Sequence, residues 1–137
     1  MKIIMVWVLV MSGMASRYAP GKMMEPIYNR SNGFAAPAIR DDWQGFDGYA
    51  AARYPSEINS EYLVCPFDRS LPCLNVLIVD CAGIKDGGLQ WMYDTDVVLE
   101  MNDEAMRVQW KKPTGSLPVN VYKFDKYITL DELVVPH

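Results

Sequence analysis

The stretch LNVLIVDCAGIKDGG, Leu74 to Gly88, constrains this chain most, because an apolar run meets one acidic residue and then breaks into glycine-rich sequence. Leu74, Val76, Leu77, Ile78 and Val79 are too few for an average helix and lie between Pro72 and Gly83. A buried strand with Asp80 at its mouth is the reading that follows. A carboxylate in that place must accept hydrogen bonds from the following turn, pair with a cation, or face an open cleft where its acidity is tuned for work. From the residues alone, a carboxylate capping the turn Ala82 to Gly88 is favoured.

The chain has 137 residues, half of them apolar, which is enough for one core. Its net charge is −4, and its cations are scattered except for Lys111 and Lys112, so no basic stripe awaits a nucleic acid backbone. No serine-nucleophile elbow, Walker sequence or dinucleotide fingerprint occurs, and no cofactor is expected.

Lys2, the apolar run Ile3 to Met11 and the small residues around Ser12 to Ala15 follow the order of a signal peptide. The run is too short to span a bilayer, which takes about 20 residues. Residues 1–12 therefore read as a short signal segment, as one clipped by a late start, or as the first strand of the mature fold. Export to the cell envelope or beyond is the favoured expectation. Of the three cysteines, Cys65 and Cys73 bracket the loop PFDRSLP and suit a disulfide in an oxidising compartment, leaving Cys81 as a small buried residue. Their spacing, with His137 as the lone histidine, matches no zinc arrangement, and no metal is expected.

Strands are predicted at Gly13 to Ala19, Gly48 to Ala52, Glu61 to Cys65, Leu74 to Val79, Val97 to Met101 and Val119 to Phe124. Pro20-Gly21 marks a turn, Lys22 to Arg30 a short helical turn, and Ser31 to Pro55 long connections around the strand at Gly48. Asn102 is placed to cap a helix over Asp103 to Val108, and Pro113 to Gly115 turn the chain. Asp86-Gly87-Gly88 reads as a solvated turn, Trp91 and Met92 as core or lid, and the tail from Tyr127 to His137 as packed on the domain. These elements predict a mainly β protein, a small barrel spanning residues 13–137 as one domain, with one or two short helices. A weak two-fold repetition of strand, turn, strand and short helix is conceivable.

The order G-x-A-S-x-Y-x-P-G from Gly13, VLIVDCAG from Val76, VVLEMNDEAM from Val97 and GSLPVNVYKF from Gly115 resembles the double-psi β-barrel domain of rare lipoprotein A and its expansin relatives. The resemblance implies a six-stranded double-psi barrel acting at cell-wall polysaccharide or peptidoglycan. Asp80 matches the aspartate linked to glycan cleavage or loosening, and Tyr18 falls in the matching A-S-x-Y segment as a groove wall. Trp43 and Trp91 are weaker candidates for stacking on sugar rings. The chain departs from the pattern in two places: D-C-A-G stands where the family has D-R-G-P, and no histidine accompanies the aspartate. The expectation is a secreted barrel that binds cell-wall glycan without catalysis. The alternative is a lytic transglycosylase-like or hydrolase-like enzyme with Asp80 as general acid. A second carboxylate would come from Asp41, Asp42, Asp86 or Glu100, although Glu100 reads as structural.

Overall fold

The fold, taken from a computed structural model, is described for residues 2–18, 38–83, 87–129 and 131. The expectations for Pro20-Gly21, the helical turn at Lys22 to Arg30, the connections up to residue 37, Asp86 and the tail beyond residue 131 lie outside these. Six strands carry the structure: β1 (Ile3–Arg17), β2 (Gly48–Ala52), β3 (Glu61–Pro66), β4 (Leu74–Cys81), β5 (Val97–Met101) and β6 (Leu117–Thr129). They form one sheet in the order β1-β5-β2-β4-β3-β6, and β6 pairs back onto β1, so the sheet closes on itself. Among the described residues no helix is long and apolar enough to cross a membrane.

Two pairs, β1 with β5 and β2 with β4, are parallel, and the other four are antiparallel. Exchanging β1 with β4, β2 with β5 and β3 with β6 maps this pairing scheme onto itself, directions included. Alternate residues of the strands fill the interior. Ala15, Ala50, Ala52, Val64, Val76, Ile78, Leu99, Met101, Val119 and Val121 are buried in one cluster. A second, smaller cluster of Ala51, Leu77 and Val79 uses the opposite face of β2 and β4, and Tyr18, Ile39, Trp43, Phe46 and Tyr49 pack against it.

The strands at Gly48–Ala52 and Val97–Met101 have the predicted bounds. β1 and β6 are longer than their patterns indicate, because each extends the other's ladder from Ile3 opposite Thr129 to Ala15 opposite Leu117. Ile3 to Met11 thus lies within β1. Gly13 is required by close approach: a Cβ there would sit 2.8 Å from the Asp96 carbonyl and 2.8 Å from a Val98 methyl. At the far end of β1 the Arg17 guanidinium donates to the Pro113 and Lys112 carbonyls, and its Nε lies 3.2 Å from Asp103 Oδ1. That cation ties the strand to the segment leading into β6.

Two local expectations are corrected. A helical segment follows Asn102 at residues 103–109, as expected, but the Asn102 side chain does not cap it; its Oδ1 accepts from the Tyr49 N–H at 3.1 Å while its own N–H donates to the Tyr49 carbonyl at 3.0 Å. The side chain is thereby consumed in extending the β2–β5 ladder. The turn that follows widens into a π-helix at Ala105–Gln109, closed by the Trp110 N–H on the Ala105 carbonyl. The second correction is the helix α1, Gly88–Asp94, which begins where a solvated turn is expected. Its first residues lack a side-chain cap, and Arg53 secures it from β2's end by donating to the Met92 carbonyl and lying 4.3 Å over the Tyr93 ring.

Cys65 and Cys73 are bridged across the end of the β3–β4 hairpin, one step beyond the Val64–Leu74 pair. Cys81 is buried outside the bridge. Replacing both cysteines by alanine reopens the short loop and is expected to lower stability by about 2–3 kcal/mol, the chain-entropy value for a loop of this size; chemical denaturation of the two proteins measures it. A second expectation concerns Glu57, whose carboxylate accepts from the Tyr62 hydroxyl at 2.8 Å and from the Tyr54 N–H at 3.1 Å. Burial raises the Glu57 pKa above the ordinary carboxylate range, and burial with the bond to Glu57 raises that of Tyr62. The folded state then holds the Glu57 proton more tightly than the unfolded chain, so this group's stabilisation is full at low pH and is lost as pH rises through its folded pKa. Glu57→Gln should flatten that part of the stability profile, which thermal melts between mildly acidic and neutral pH would read.

Candidate functional site

The central strand delivers Asp80 to the outer face through a bulge. Ala50 faces Ile78 and Ala51 faces Asp80, which leaves Val79 as the extra residue of β4. A bulge of this kind re-aims a side chain. Asp80 therefore joins Leu77 and Val79 on the face opposite the main core, in register with Ala51.

Asp80 is fully buried, at 0% exposure, and a carboxylate in that position requires hydrogen-bond donors. The Tyr18 hydroxyl donates to Oδ2 at 2.9 Å and the Cys81 N–H donates to Oδ1 at 2.8 Å. Tyr18 is brought there because the chain continues past β1 beside β5, its N–H donating to the Met101 carbonyl at 2.8 Å. The sequence-predicted pair of Asp80 and Tyr18 is thus in direct contact, but as a hydrogen-bonded unit.

Ala51 is paired on its other side with Glu100 of β5, so Asp80, Ala51 and Glu100 occupy one row across three strands. With neighbouring strands about 4.8 Å apart, the two backbone positions lie roughly 9–10 Å from each other. Glu100 is half-buried.

A groove of about 410 Å³ opens farther along β2. One wall comes from the segment entering β2, with Trp43, Gln44, Phe46, Asp47 and Tyr49; the other is Asn102, Glu104 and Gln109 after β5. Trp43 and Tyr49 meet edge to face with centroids 5.4 Å apart. Tyr49 stands two residues before Ala51 on the same face, so groove and Asp80 lie along one aromatic strip. The Asn102 bonds fix Tyr49's backbone, and Gly48 leaves room for them: a Cβ there would meet Asn102 Oδ1 at 3.1 Å and the Ala105 Cβ at 3.2 Å. The five-residue closure of the π-helix brings Glu104 and Gln109 to the same groove. Burial, and then the Glu104 charge, raises the Tyr49 pKa, which keeps its hydroxyl neutral and able to donate.

Of the aromatic candidates, Trp43 lines this groove and packs on the cluster beside Asp80, whereas Trp91 projects from α1, 43% exposed, away from both. Tyr49, Asn102, Glu104 and Gln109 were not singled out as site residues by sequence. Only Asn102 carried a signal, the polar break after the VVLEM strand, and that signal pointed to a helix cap. Among the described residues no group of three or more His, Cys, Asp and Glu side chains is placed to hold a metal ion.

Tyr18→Phe keeps the ring and removes the donor to a buried carboxylate. It should cost about 1–2 kcal/mol of stability by denaturant titration, more than a surface tyrosine would. Compared with family models, with curated proteins and with solved structures, the chain matches none of them.

Proposed function

We propose that this chain is a double-psi β-barrel that binds cell-wall glycan at the groove beside Asp80, in the cell envelope or outside the cell, and that it does so without cleaving its ligand. The groove carries the reading: aromatic rings of Trp43 and Tyr49 stand beside the amides of Gln44 and Gln109 and the carboxylates of Asp47 and Glu104. Flat apolar rings and planar hydrogen-bonding groups in one concave surface suit a sugar, which offers an apolar ring face and a rim of hydroxyls. The double-psi assignment is supported by the self-mapping pairing scheme with its two parallel pairs. The Cys65–Cys73 bridge suits an oxidising compartment. Asp80 favours binding over acid catalysis, because it is buried and committed to Tyr18 and the Cys81 amide.

One observation favours a second reading. The row Asp80, Ala51, Glu100 holds two carboxylates on one face with a small residue between them. Their backbone spacing is of the order that glycoside hydrolysis with inversion uses between carboxyl groups, about 6.5–9.5 Å.

Incubation with purified peptidoglycan, and with cellulose as contrast, separates the two. The binding reading expects the native protein and Asp80→Asn to be retained equally on one polymer with no soluble fragments by mass spectrometry. Trp43→Ala, with an unchanged melting profile, should be retained about tenfold less. Fragments released by the native protein and absent with Asp80→Asn would establish the enzyme instead. Absence of retention and of fragments on both polymers would refute the cell-wall reading.

A further inference from the structure

Among the described residues, the carboxylates of the groove meet no cation within it. Asp47 and Glu104 line it, and no lysine, arginine or histidine does so among the described residues. One oxygen of Asp47 accepts from the Asn75 N–H at 2.8 Å. Glu104 is exposed and makes no hydrogen bond or ion pair among the described residues. The nearby cations are engaged elsewhere: Arg40 lies over Phe46 at 5.4 Å but pairs with Asp42 at 2.6 Å and Glu61 at 3.2 Å, while Arg107 pairs with Asp103 at 3.3 Å. Among the described residues, the negative charge that borders the aromatic wall is thus uncompensated. An anionic glycan is repelled there, a neutral one offers the carboxylates its hydroxyls alone, and a ligand with an ammonium group beside the sugar ring gains a charge attraction as well.

Resting on the glycan-binding reading above, we propose that the groove selects glycans that carry free amines, namely polymers of de-N-acetylated hexosamine. Trp43 and Tyr49 take the ring face, and Glu104, with Asp47 as the second acid, takes the 2-ammonium. An acetyl group removes that charge and puts bulk in its place. The preference is electrostatic and weakens with added salt.

The test is calorimetric titration of the full chain with the hexamer of glucosamine and with the hexamer of N-acetylglucosamine, at a pH where the amine is protonated and at low and high salt. The expected result is up to about fivefold tighter binding of the amine-bearing hexamer, the scale of an exposed ion pair, with the margin shrinking at high salt. Glu104→Gln should bring the affinity for the amine-bearing hexamer down to that for the acetylated one, and Trp43→Ala should weaken both ligands. Equal affinity for the two hexamers, or a margin that survives in both Glu104→Gln and Asp47→Asn, overturns the amine selectivity and leaves glycan binding standing. Binding of neither hexamer, together with no retention on peptidoglycan or cellulose, overturns both.

Discussion

One short strand, β2, sets the geometry of everything placed near the site, through how closely its neighbours approach. β2 is GYAAA, with Ala50, Ala51 and Ala52 between 0% and 2% exposed, held between a parallel partner and an antiparallel one. Small side chains let both faces of this strand be covered: the main core on one side, Tyr18 and the aromatic strip on the other. A larger residue at Ala51 would occupy the space between Asp80 and Glu100 and lift Tyr18 off its carboxylate. Gly48 continues the same requirement at the start of the strand, where Asn102 closes the ladder.

Asp80 and Asn102 are the two polar side chains buried among the described residues, and both lie beside this strand. Each is satisfied by a partner that belongs to the site's framework, Asp80 by Tyr18 and the Cys81 amide, Asn102 by the Tyr49 backbone. Buried polar groups held in this manner specify one arrangement, because an alternative packing would leave them unpaired. The same arrangement leaves Asp80 with no exposed surface, whereas a general acid needs access to the atom it protonates. The carboxylates that reach solvent at the groove are those of Asp47 and Glu104.

The strands were legible because their signals are local. Alternation in VNVYKF and the β-branched run of β4 appear within a few residues, and the cysteines flanking PFDRSLP announce the hairpin they bridge. Asp80 and Tyr18 could be selected as site residues, yet their contact depends on β5 and β2 lying between β1 and β4. The groove was hidden for the same reason: Trp43 and Glu104 are far apart in the chain and meet through the pairing of β2 with β5. α1 escaped notice because its stability resides in Arg53 and in packing on β5, while its own start, Gly87-Gly88, carries the residues of a turn. Asn102 misled because a side chain able to cap a helix can equally serve as a surrogate backbone group in a sheet.

The closure of the sheet also dictates an order of events. Of the described strands β1 comes earliest in the sequence and β6 latest, and among the described residues 3–12 of β1 pair with β6 alone, whereas β5 takes Met14 to Arg17. Until β6 is made, IIMVWVLVM lacks its partner among the described strands, and Ile3, Leu9 and Val10 remain 65%, 52% and 46% exposed even afterwards. Contacts this distant in sequence are slow to form, and an uncharged apolar strand waiting for them attracts its own kind. The interval before β6 closes on β1 is therefore when this sheet is most open to misassembly.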